Sequence, residues 1–205
     1  MAYFPFFEDI ENRHILIAGG GNVALRKAEK LLPFGAFVKV IAPEICEGFS
    51  AIADSGQLEI HKRRFRDNDI NSAYAVIAAT DDNELNTYIS ELCRKRQIPV
   101  NSVDDPENCT FFFPALVCRE NITVGISTGG ASPIFARYLR EQIEELIDEK
   151  MLAASEILTR YRPVIAGMFR TPDERKNAAE ELLRLCTGNG AIPGDEEINR
   201  LLESL

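Results

Sequence analysis

Tryptophan is absent from this chain, and histidine occurs only at His14 and His61. Neither histidine has a second ligand at metal spacing, so no metal site is expected. The five cysteines (Cys46, Cys93, Cys109, Cys118 and Cys186) form no CxxC pair, which excludes a zinc ribbon and a redox dithiol. Scattered thiols fit a reducing cytoplasm and read as small core residues rather than nucleophiles. Positive charge is also scarce: 23 Lys and Arg stand against 32 Asp and Glu, a net charge of -9. That balance argues against a nucleic-acid partner and against an anionic membrane surface. No run reaches the ~20 apolar residues of a membrane span. The opening MAYFPFFEDIENRH has no basic stretch followed by a long apolar one, so no signal peptide is expected and the chain is assigned to the cytoplasm.

What the chain does have is rhythm. His14–Ala18, Phe37–Ala42, Leu58–His61, Tyr74–Ala79 and Ile98–Ser102 are short apolar runs. Between them lie amphipathic stretches at Asn22–Leu32, 44–55 and Asp82–Arg96, the first stopped by Pro33 and Gly35. Strand–helix alternation at this spacing predicts an α/β fold, a Rossmann-like doubly wound parallel sheet. After residue 105 the pattern changes. Phe111–Val117 and Ile122–Ser127 read as two strands joined by a short polar connection, which predicts a hairpin. Ser132 and Pro133 open a helix expected to run to about Lys150, with Ser as N-cap and Pro in the first turn. The remainder reads as helices broken near Arg170-Thr171-Pro172 and Gly188-Asn189-Gly190. The expected organisation is 1–110 as a dinucleotide-binding domain, 111–150 as a strand-containing dimerisation region and 151–205 as a small helical domain.

Ala18-Gly19-Gly20-Gly21-Asn22-Val23-Ala24 places a GxGxxA pattern between a strand and a helix. Gly19 permits the tight turn, Gly21 lets a pyrophosphate approach the backbone, and Ala24 lets the helix pack closely. The helix start offers free N–H groups to phosphate. Glu44, just past the second strand, fits the ribose-binding acid; it fits equally a solvated first-turn glutamate. No arginine stands at this strand end to receive a 2′-phosphate, which favours NAD over NADP. The run His61-Lys62-Arg63-Arg64 reads as a solvated face.

Several segments together resemble the siroheme synthase N-terminal family (precorrin-2 dehydrogenase, with or without ferrochelatase activity). They are Phe4–Phe7, Gly19–Lys27, Ala78–Asp82 with Asn86, Asn101–Asp105, Phe111–Ala115 and Ser127–Pro133, in family order over residues 4 to about 140. The resemblance implies a homodimer that oxidises precorrin-2 to sirohydrochlorin with NAD, with metal insertion left open. It places the catalytic aspartate on Asp104. It places cofactor contacts on Asn22 and Val23 at the glycine loop and on Pro43 and Glu44; Gly19, Gly20, Gly21 and Thr80 are further cofactor-binding candidates. A serine phosphorylated in some members falls on Thr128, which puts that modification in doubt here.

Asp104 follows a parallel strand at the carboxyl edge, where a carboxylate could take a proton while the nicotinamide takes a hydride. It also reads as an ordinary turn residue in Asp104-Asp105-Pro106. The substrate so implied carries eight carboxylates, and the acidic chain would repel it unless the cleft is locally positive. Arg119 and Arg137 are candidate grips, with Asn101 and Thr128 as further substrate contacts and the turn before Ser132 as a source of N–H donors. The competing reading is a dinucleotide-sensing module without catalysis. The chain runs to residue 205 without a methyltransferase domain, so the uroporphyrinogen methylation step is expected elsewhere.

Overall fold

All but the first residue of β1 (His14–Ala18) are buried, and they divide between two cores. Ile15 and Ile17 belong to one, Leu16 and Ala18 to the other. Two-sided burial is what a central parallel strand requires. The structure, a computed structural model, describes residues 4–188 and 190–205, without the side chains of Asp54 and Ser55. It divides into two compact units, Phe4–Phe113 and Pro114–Leu205.

In the first unit β1 is joined by β2 (Phe37–Ala42), β3 (Leu58–Lys62), β4 (Ala75–Ala78) and β5 (Val100–Ser102). The sheet is wholly parallel in the order β3-β2-β1-β4-β5. Strand order reverses between β1 and β4, so the ligand crevice of such a sheet opens at their carboxyl ends. On one face α1 (Asn22–Leu31) contributes Ala24, Ala28 and Leu31, joined by Phe49. On the other, α2 (Asn83–Lys95) contributes Ile89 and Cys93, joined by Ile70. The expected doubly wound sheet is therefore the observed one. Pro33 and Gly35 stop α1 as expected: a 3₁₀ turn at Leu32–Phe34 ends on Gly35 at φ 75°, and the Gly35 N–H donates to the Leu32 carbonyl at 3.0 Å.

One expected helix is corrected. The stretch 44–55 is a 3₁₀ segment, Glu47–Ser55. Gly48 is its second residue, and a Cβ there would stand 2.4 Å from Leu25 Cδ2, so the glycine serves close packing on α1.

The second unit opens with the expected hairpin, β6 (Ala115–Arg119) antiparallel to β7 (Ile122–Ile126). The Phe111–Phe113 triplet lies outside β6, contrary to expectation. The Phe111 carbonyl is held by Asn101 Nδ2 at 3.1 Å, and Phe113 packs on the first core. The helix expected to reach Lys150 is two helices: α3 (Pro133–Leu146) and α4 (Glu149–Met168). Ile147 is buried against Val117 and Leu152, and Asp148 caps α4 by accepting from the Met151 N–H at 2.8 Å. α5 (Pro172–Thr187) begins on a capping box in which Thr171 and Glu174 satisfy each other's N–H groups, and α6 (Asp195–Glu203) follows. Of the second expected break, Asn189 lies outside the described residues. α4, α5 and α6 share a core of Ile157, Tyr161, Leu182, Cys186, Ile198 and Leu202. Cys93 and Cys186 are the core thiols foreseen, and burial pushes Cys93 up to about 11. Cys118 is exposed, because it sits on the outer face of the hairpin, which corrects its assignment to the core. Among the described residues no helix is long and apolar enough to cross a membrane.

Candidate functional site

The three glycines after β1 do different work. Gly19 stands at φ 130°, and a Cβ on it would lie 2.1 Å from the Ala79 carbonyl oxygen. Its N–H donates to the Ile41 carbonyl at 3.0 Å. A Cβ on Gly20 would lie 2.0 Å from the Glu44 carbonyl oxygen, and the Gly20 carbonyl accepts from Cys46 N–H at 2.8 Å. These two residues thus thread between the ends of β2 and β4 and leave no room for a side chain. Gly21 is unlike them: a Cβ there would meet nothing within 4 Å. The space beside Gly21 is open, and the glycine keeps it so.

α1 starts at that opening. Gly21 is its N-cap, no side chain accepts from its first N–H groups, and its first turn holds no acid. A helix start without a cap leaves partial positive charge and orphan donors facing out. An anionic diphosphate satisfies both demands, so the residues present fit a dinucleotide. Asn22 is exposed and Val23 half-buried at this entrance. Pro43 and Glu44, both exposed, stand just past β2 on the same edge.

Past β4, Thr80 and Asn86 form a clamp. Asn86 Oδ1 accepts from the Thr80 N–H at 3.1 Å and from its hydroxyl at 2.7 Å, while Asn86 Nδ2 donates to the Thr80 carbonyl at 2.9 Å. Asp82 caps α2 through the Leu85 N–H at 3.0 Å. The Thr80 hydroxyl is therefore already engaged and fixes the edge of the crevice.

Asp104 follows β5 in an exposed turn at φ 58°, a left-handed conformation that aspartate tolerates. The turn is pinned: the Val103 N–H donates to the Ala78 carbonyl at 2.9 Å, which ties it to the end of β4. Cys109 Sγ accepts from the Ser102 N–H at 3.2 Å and donates to the Ser102 carbonyl at 3.1 Å, folding the following segment back on β5. Burial raises the Cys109 thiol, which keeps it a neutral brace. Asn101 is buried and spends its amide on Phe111 and Cys109, so it braces this segment from inside. Ser102 Oγ is buried at the same strand end with no hydrogen-bond partner among the described residues.

Sequence reasoning assigned no role to Lys27. It lies on α1 between the buried Ala24 and Ala28, and its ammonium sits 3.9 Å from the centre of the Phe113 ring. Burial and the neighbouring Lys30 and Arg26 lower its pKa to about 8, against the opposing pull of Cys109 and Asp104. The available signal was its place beside the alanine stripe of an otherwise amphipathic helix.

The remaining candidates belong to the second unit. Arg119 donates to the Ile147 carbonyl at 3.0 Å and to Glu149 Oε1 at 3.0 Å, bracing the α3–α4 junction. Arg137 is exposed and pairs with Glu141 at 3.8 Å. The Thr128 hydroxyl donates to the Ser132 carbonyl at 3.1 Å and accepts from the Ser132 N–H at 3.2 Å. The expected free N–H donors at the start of α3 are corrected: Ser132 Oγ accepts from the Phe135 N–H at 3.2 Å, so that helix start is already capped. In the basic run, Arg63 is not merely solvated; it forms a two-pronged pair with Asp69 at 2.7 and 2.8 Å and holds that carboxyl below its usual range. Among the described residues no cluster of three or more His, Cys, Asp or Glu could hold a metal.

Comparison with known proteins agrees with this geometry. Residues 6–115 match a family described as putative NAD(P)-binding, and residues 119–146 match one described as sirohaem biosynthesis protein central. A siroheme synthase of Actinobacillus pleuropneumoniae is 39% identical over 182 residues, covering 89% of this chain and 37% of its own length. One from Thioalkalivibrio sulfidiphilus is 40% identical over 183 residues, again covering 89% of this chain and 37% of its own. The chain thus spans well under half the length of these relatives. Among solved structures, one titled SirC, precorrin-2 dehydrogenase, superposes with a TM-score of 0.76 at 21% identity, covering 98% of each chain, which establishes a shared fold. The chain belongs to the siroheme synthase N-terminal family, with an NAD(P)-binding domain in its first unit.

Proposed function

We propose that this chain oxidises precorrin-2 to sirohydrochlorin with NAD⁺. The observation that carries the reading is the uncapped start of α1 beside the open space at Gly21, on the same sheet edge as Asp104. Gly19 and Gly20 shape the turn, and Gly21 with the amides of Asn22 and Val23 holds the diphosphate. Pro43 and Glu44 line the adenosine side past β2, with Glu44 accepting from the ribose hydroxyls; Thr80, locked by Asn86, borders the opposite side. When bound, NAD⁺ supplies the hydride acceptor. The oxidation releases one hydride and one proton, and Asp104 accepts the proton as a carboxylate at the crevice. Its turn, pinned to β4, holds it there without a flexible linker.

The homodimer belongs to the same reading. On α3, Ile134 is 76% exposed, and Phe135, Tyr138 and Leu146 are exposed as well, an apolar surface of the kind that partner chains cover. We assign residues 111–150 to this pairing and 151–205 to a helical accessory domain. The five scattered free thiols support a cytoplasmic setting.

The test is turnover of precorrin-2 with NAD⁺, followed by sirohydrochlorin absorbance. Asp104→Ala should lower turnover by about 100-fold or more, the range of a lost general base, while calorimetry gives an unchanged NAD⁺ affinity. Full turnover in Asp104→Ala would leave a dinucleotide-binding module whose chemistry, if any, lies elsewhere.

A further inference from the structure

Lys27 is an unusual lysine for a surface helix. Its stem lies next to the alanine stripe that packs α1 onto the sheet. Its ammonium is half-buried over the Phe113 ring and makes no hydrogen bond or ion pair among the described residues. An ammonium carries three donors, and a ring face satisfies none of them as a carbonyl or carboxylate would. The charged groups around it are mixed. Lys30 and Arg26 on its own helix oppose its charge, whereas Cys109 and Asp104, on the segment after β5, favour it. The nitrogen is thus poised between α1 and the turn that carries Asp104, with its donors unspent. It is also kept at a cost, since burial disfavours its charged form.

We propose that Lys27 grips a carboxylate of the tetrapyrrole substrate beside Asp104, an inference that rests on the functional reading above. It supplies the local positive charge that an acidic chain needs to hold a polyanion, a role sequence reasoning had given to Arg119 and Arg137. Phe113 fixes the ammonium from below, and an incoming carboxylate takes the open donors. An arriving anion also favours the protonated lysine, so binding takes up a proton. Affinity should therefore fall as pH rises through the free lysine's value near 8.

The probe is uroporphyrin, a tetrapyrrole octacarboxylate, titrated by fluorescence into the full chain between pH 6.5 and 9.5, with NAD⁺ affinity measured in parallel. Wild-type protein should bind it more weakly as pH passes 8. Lys27→Met should bind it roughly tenfold more weakly at pH 7, as for the loss of one charge-assisted hydrogen bond, and should lose the pH dependence. Lys27→Arg should restore affinity and stay level to pH 9.5, because a guanidinium does not titrate there. NAD⁺ affinity should be the same in all three. Equal uroporphyrin binding by wild type and Lys27→Met overturns the inference while leaving the dehydrogenase reading intact. A loss confined to NAD⁺ overturns it too and places the lysine on the dinucleotide diphosphate. Failure of wild-type protein to bind uroporphyrin at any pH sinks the functional reading, and this inference with it.

Discussion

The molecule contains two junctions in which a strand runs through glycines into a helix, and they are finished differently. β1 passes through Gly19-Gly20-Gly21 into α1, whose first N–H groups no side chain caps. β7 passes through Thr128-Gly129-Gly130 into α3, where Ser132 takes the Phe135 N–H and Thr128 ties down Ser132 on both sides. At the second junction side chains already take the Ser132 and Phe135 N–H groups, whereas at the first no side chain takes one, which leaves those donors to an anion. The comparison teaches that a glycine-rich turn before a helix does not by itself define a phosphate site. What matters is whether the protein has already used the helix's donors.

Four substitutions sharpen or break this contrast. The largest effect belongs to Gly19→Val. Its β-branched side chain would meet the Ala79 carbonyl at a φ of 130°, so no soluble folded protein should be recovered, as judged by circular dichroism and expression. Gly21→Asp comes next. Gly21 has an ordinary extended backbone, φ -84°, and open space where the side chain would go, so the variant should melt at the wild-type temperature or slightly above. Its carboxylate would cap α1 and repel the diphosphate, weakening NAD⁺ binding by roughly 100-fold, about 2.7 kcal/mol by titration calorimetry. In effect it turns the first junction into a copy of the second. Ser132→Ala makes the reverse change at α3 and should cost about 1 kcal/mol in denaturant unfolding, with NAD⁺ affinity untouched.

The smallest expected effect is a gain. The folded-state pKa of Lys27 lies near 8, below its ordinary 10.5, so between those values the unfolded chain binds more protons and stability rises with pH. The cost is fully present below pH 8 and disappears above about 10.5. Lys27→Met, which keeps an unbranched stem over Phe113, should therefore stabilise the protein at pH 7 by roughly 1 kcal/mol after allowance for solvent screening. Thermal melts of the two proteins should converge at high pH.

These differences also mark what could be read from the chain alone. β1 and β2 were legible to the residue, because His14–Ala18 and Phe37–Ala42 are largely apolar runs ended by Gly19 and Pro43, and a buried parallel strand demands such runs. The start of α3 was legible because Ser132-Pro133 is a local signal. The break at Ile147-Asp148 was not, since periodicity continues across it and only burial of Ile147 against Val117 and Leu152 makes the chain turn. The glycine loop was recognised, yet three consecutive glycines look alike in a sequence. Which of them is packed and which is open depends on Ala79 and Glu44, brought in by β4 and β2. Lys27 was passed over for the same reason: its ring partner, Phe113, arrives from a distant segment. The sequence offers Arg119 as a carboxylate grip, whereas folding turns it onto Ile147 and Glu149.

The central claim is that the start of α1 receives the dinucleotide diphosphate. Its most direct test is to follow backbone amide resonances of isotopically labelled protein as NAD⁺ is added. Saturable shifts should be largest at Asn22, Val23 and Ala24, with the Phe135 amide at the capped start of α3 unmoved. Saturation that leaves those three amides in place, or that moves the α3 start instead, would contradict the account.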